Sequence, residues 1–105
     1  MPAAVGLSDS GLADEYRRAH RERCRWDARE VELAAEAERR EIARREGFGS
    51  TTAWLMSLSG EQAAVCRSQI AVASSLEHMP ETKKAFASGE LSESRVKVLA
   101  HATMR

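Results

Sequence analysis

Gln62, Arg67 and Gln69 are the side chains whose types and spacing come nearest to a chemistry of recognition. Two short helical segments meet at a tight turn around Gly60, which fits a helix-turn-helix whose second helix lies in the DNA major groove. In that geometry Gln62 and Gln69 face adenine edges, and Arg67 reaches a guanine edge or a phosphate. Lys83 and Lys84, on a later segment, are two further candidates for contact with the DNA backbone. Glu61 stands beside the turn and repels phosphate, while Ala63, Ala64 and Val65 carry no charge.

Catalysis needs a cluster, and the sequence offers none. His20, His78 and His101 are scattered through polar or helix-terminal contexts and read as surface histidines. The carboxylates lie mostly on the N-terminal segment, interleaved with arginines, which is the pattern of a solvated, charge-laced face. A Gly-rich phosphate loop, a CxxC pair and HExxH spacing are all missing. Cys24 and Cys66 are isolated, which predicts two reduced, partly buried thiols rather than a disulfide or a metal site. We therefore expect no catalytic residue, no metal ligand and no cofactor.

The elements that position these residues are helical throughout. At 105 residues the chain is one domain or part of one. With 43% hydrophobic, 30% charged and 5% aromatic residues, its core must be built from small aliphatics around Trp26, Trp54, Phe48 and Phe86. The net charge of zero lacks the basic balance of a strong electrostatic DNA binder. We read residues 1–10 as a flexible leader, 11–47 as a long charged amphipathic helix, and 48–105 as a compact bundle of about four short helices. Asp9 or Ser10 caps the long helix, and Gly47 and Gly49 stop it. Opposite charges at i,i+4 recur along it, at Asp14 and Arg18, Glu36 and Arg40, and Glu41 and Arg45.

Its apolar residues fall into two stripes, Tyr16, Ala19, Trp26, Leu33 and Ala37 against Cys24, Ala28, Val31, Ala35 and Ile42. A helix apolar on two sides wants two partners, the rest of this chain and a second copy or partner domain held through Trp26 and Leu33. The alternative reading is that many of these alanines are simply helix filler. In the bundle Ser50 caps one helix, and Gly60 ends it. The next begins near Gln62, and Pro80 opens the third. Gly89 stops that helix, and Ser92 caps the last. Trp54, Leu55, Leu58, Ile70, Leu76, Phe86, Leu91, Val96 and Leu99 are the expected core.

The punctuation from Phe48-Gly49-Ser50-Thr51-Thr52-Ala53-Trp54-Leu55, through Gly60 and Leu76-Glu77-His78-Met79-Pro80, to Gly89-Glu90-Leu91-Ser92 resembles the 13E12-repeat family of actinobacteria. That domain of unknown function is often found ahead of an HNH endonuclease module. The stretch from Leu76 to Ser92 is also similar to the helix-turn-helix region of ParB-type partition proteins. The resemblance covers about half the chain and implies an all-α fold and association with DNA. Relatives commonly place an apolar residue, a serine and several arginines after the turn glycine, where this chain has Glu61, Gln62 and alanines. The nuclease residues of relatives are not among these 105, so the expected role is non-catalytic. From Gly47 onward six basic residues, Arg105 included, face five acidic ones. The sequence reaches Met104 and Arg105 without a helix stop signal, which reads as a C-terminal truncation or a shortened family member. With neither a signal peptide nor a span-length apolar run, we expect a soluble, cytoplasmic protein whose partners are double-stranded DNA or a second copy, and not a membrane.

Overall fold

A computed structural model of the chain describes residues 3–103, which form one 3-10 turn and six α-helices. The readings that rest on Met1, Pro2, Met104 and Arg105 lie outside the described residues. Ser8 Oγ accepts from the Gly11 amide at 3.1 Å, so α1 (Asp9–Arg39) starts from Ser8 rather than from Asp9 or Ser10. Part of the expected leader is thus ordered, as the 3-10 turn Ala4–Gly6 and the first residues of α1.

A ladder of exposed ion pairs runs along α1, mostly at i,i+3: Asp14 with Arg17, Glu22 with Arg25, and Arg29 with Glu32. Of the three expected i,i+4 pairs only Glu36 with Arg40 forms, at 2.6 Å; Asp14 and Glu41 take Arg17 and Arg44 instead. Exposed pairs of this kind contribute little to stability, because water and salt screen them.

The long helix is shorter than expected. It ends at Arg39, and Glu41 adopts a left-handed conformation (φ 54°) before a separate one-turn helix, α2 (Ile42–Arg45). A non-glycine residue in that region costs about 1–2 kcal/mol. The cost is offset by tertiary structure: the bend turns Ala43 inward to 3% exposure, and the Phe48 amide donates to the Ala43 carbonyl at 2.8 Å.

The remaining helices obey their local signals. Ser50 Oγ accepts from the Ala53 amide and opens α3 (Thr51–Ser59); Gly60, at φ 76°, closes it. Next, α4 (Ala63–Leu76) begins after Gln62. Pro80 is the first residue of α5 (Pro80–Ala87), and Ser92 Oγ accepts from the Arg95 amide at the start of α6 (Glu93–Thr103).

The main core joins Ala28 and Val31 of α1 to Val72, Leu76, Phe86 and Val96, with Leu91 and Ala73 packed against it. Leu76, Phe86, Leu91 and Val96 thus stand as expected, whereas Trp54, Leu55 and Ile70 are half-buried. Leu58 and Leu99 are exposed, so two expected core residues belong to the surface. Cys24, Ala34, Ala37, Ala43, Cys66 and Ala100 fill the interior instead, because small side chains let the helices approach closely. Trp26, expected among the large anchors, is 66% exposed, and Phe48 is half-buried.

Gly89 (φ 87°) locks the α5–α6 turn onto α1. A Cβ there would lie 2.8 Å from the Arg21 carbonyl oxygen, and the Arg25 guanidinium donates to the neighbouring Ser88 carbonyl at 3.1 Å. The radius of gyration is 16.3 Å, where a compact chain of this length has about 13 Å. The excess comes from α1, about 46 Å long, which projects beyond the bundle.

Candidate functional site

The α3–α4 pair forms at the expected place. Gly60 closes α3 in the left-handed conformation, and Ser59 Oγ bridges the turn, donating to Leu55 O at 2.8 Å and accepting from the Glu61 amide at 3.1 Å. Ser59 is therefore engaged in the turn. Gln62 stands at the head of α4, exposed, and its side chain caps nothing. Arg67 is exposed one turn further on and makes no ion pair among the described residues.

Gln69 is placed differently from Gln62 and Arg67. It is half-buried, and its amide donates to Glu30 Oε1 on α1 at 3.3 Å, so it ties α4 to α1. Lys83 and Lys84 are exposed on α5, with Lys84 3.7 Å from Glu81. The structure therefore leaves Gln62, Arg67 and Lys83 open to solvent and turns Gln69 inward.

A feature that sequence reasoning missed lies on the α1, α3 side. An open groove of about 480 Å³ is lined by Leu33, Ala37, Ile42, Trp54, Leu55 and Leu58, with Glu30, Glu36, Arg40 and Gln69 at its rim. The Trp54 indole N–H donates to Glu46 at 2.8 Å, which fixes the ring with its apolar body toward α1. Leu33 and Leu58 remain 53% and 67% exposed on either side. Trp26 stands two turns before Leu33 on the same stripe of α1, and Tyr16 (75% exposed) stacks on His20 with ring centroids 6.4 Å apart. The signal was present in the sequence as two apolar stripes, but the side that stays open depended on where α3 docks.

The electrostatics are local. Hydrogen bonds from Arg39 and then Arg40 hold the Glu36 carboxyl down to about 2, on the rim of the groove. On α6, burial pushes the Glu93 carboxyl above its ordinary value; Lys97, 3.5 Å away, opposes this, while Asp27 and Glu30 of α1 add to it. Both cysteines are free and buried, and Cys24 Sγ lies 3.6 Å from His20 Nε2. That Cys–His pair resembles a nucleophile with its base, but Cys24 is 1% exposed and offers no path for a substrate. Among the described residues, no three His, Cys, Asp or Glu side chains converge to hold a metal ion, and no helix is long and apolar enough to cross a membrane. Comparison with protein-family models, with curated proteins and with solved structures gave no match to this chain.

Proposed function

We propose that this chain is a non-catalytic helical domain of the 13E12-repeat type that associates with DNA beside an HNH endonuclease. The observation that carries this reading is the α3–Gly60–α4 pair, with Gln62 and Arg67 solvent-facing on the leading turns of its second helix. Such a helix presents its first turns to base edges and phosphates, and Lys83 adds a positive charge on α5. Gln69 belongs to the scaffold in this account, since its hydrogen bond to Glu30 holds α4 at its angle to α1.

Few cations are available, so binding is weak and steeply shaped by each one. Two or three phosphate contacts give a slope of about −2 to −3 in log affinity against log salt. Fluorescence anisotropy with a mixed-sequence duplex measures it. The expected result is binding at low salt that falls with that slope, and Arg67→Ala lowering the slope by about 1. Absence of binding at low salt, or an affinity untouched by Arg67→Ala, would remove the α3–α4 pair from the account.

A further inference from the structure

The projecting half of α1 and the groove beside α3 have complementary chemistry, and we propose that they cover each other in an antiparallel dimer of two copies of this chain. This inference stands on observations separate from the DNA reading. Leu12, Ala19, Trp26 and Leu33 recur every seven residues along α1, and all four are exposed. With one apolar residue per heptad and charged residues at Glu15, Glu22, Arg29 and Glu36, the repeat gives a narrow apolar seam along one side of α1, flanked by charge. The seam runs into the groove, because Leu33 belongs to both.

Charge selects the occupant and its direction. Residues 17–25 hold five arginines and one glutamate; residues 27–38 hold five acidic residues and one arginine. The change of sign falls at Trp26. Two copies of α1 laid antiparallel about a two-fold axis through Trp26 bring each basic block against the partner's acidic block. Arg23 then stands level with the partner's Glu30 on one flank, and Glu22 with the partner's Arg29 on the other. A parallel pair would set Arg23 against the partner's Arg23 and Glu30 against the partner's Glu30, which repels. Within the chain Arg23 reaches Asp27 only at 3.8 Å, and Glu30 accepts from Gln69 at 3.3 Å. Glu22 and Arg29, by contrast, already pair with Arg25 at 2.7 Å and Glu32 at 2.9 Å, so on that flank the partner's charges join existing pairs.

The same register packs small against large. Ala19 meets the partner's Leu33, and the two Trp26 rings meet at the axis. Tyr16 and Leu12 then come level with the partner's Glu36 and Arg40, at the mouth of the groove, where Ile42, Leu55 and Leu58 wait. An isologous contact of this kind closes on itself and forms a dimer rather than a filament. The apolar seam and the Tyr16 end supply the affinity, while the charged flanks set orientation.

The test combines mass with direction. Light scattering on the 105-residue chain at tens of micromolar is expected to give twice the chain mass, and Trp26→Asp to weaken self-association at least tenfold while the thermal transition of the bundle stays in place. Ala19→Cys and Leu33→Cys variants, mixed and oxidised, are expected to form a disulfide between unlike chains that neither variant forms alone. Cys24 and Cys66, each 1% exposed, stay out of reach. A monomer mass overturns the proposal. Like-with-like crosslinks, which a parallel pair would give, also overturn it, as does a dimer untouched by Trp26→Asp.

Discussion

Residues 9–23 and residues 24–39 are two halves of one helix, built from the same alanines, arginines and glutamates, yet only the second half buries side chains against the bundle. It buries Cys24, Ala28, Val31, Ala34 and Ala37 against the bundle. The first half buries no side chain; it meets the bundle where Arg21 abuts Gly89, and its Leu12 and Tyr16 face solvent. Composition gives both halves helix propensity; only contact gives one of them stability. A helix of about fifteen residues is marginal alone, so the first half persists as a continuation of the second.

The comparison is broken most forcefully from inside the core. Phe86→Ala is expected to cost about 3–5 kcal/mol in urea unfolding, since Phe86 is 1% exposed at the centre of the cluster. With the bundle gone, the amides of residues 9–23 should lose protection together with those of the second half. If they keep it, the first half is an autonomous helix and the contrast fails. Gly89→Ala comes next, at about 1–3 kcal/mol, because the left-handed backbone strains any side chain and the Cβ meets the Arg21 carbonyl.

A matched pair of glycine substitutions sharpens the contrast. Ala28→Gly is expected to lower the global stability by at least about 1 kcal/mol, adding a lost buried methyl to the propensity cost. Ala13→Gly carries the same propensity cost but should leave the global transition in place and speed exchange only near residue 13. Equal effects would show that both halves are coupled to the same unfolding unit.

The smallest expected effect concerns the acidic contact between α1 and α6. Because Glu93 titrates higher in the folded chain than in the unfolded one, its ionisation opposes folding, and the loss is felt as pH rises through its folded value. Glu93→Gln should therefore raise the melting temperature at pH 7, with the gain shrinking as pH falls into the carboxylate range. A gain that does not change with pH would assign it to packing instead.

Much of the helix punctuation was legible because it is local. Ser50, Gly60, Pro80, Gly89 and Ser92 each act on their own backbone, and all five perform the roles their types predict. The break at Glu41 was not legible, since no glycine or proline marks it and its cause is the inward turn of Ala43. Core membership was read in part. Large residues were favoured over Ala34, Ala37 and Cys66, yet close helix approach selects small ones. Of the candidate recognition residues, Gln62, Arg67 and Lys83 reach solvent as sequence spacing suggests, while Gln69 is drawn to Glu30 by a contact thirty-nine residues away in sequence.

In the proposed dimer the two halves of α1 meet again, and the half that buries no side chain is covered by a second copy. Amide hydrogen exchange at several protein concentrations tests that claim most directly. The account predicts that protection over residues 9–23 grows with concentration, while protection over residues 24–39, already set by the bundle, barely changes. Protection over residues 9–23 that is independent of concentration would contradict it.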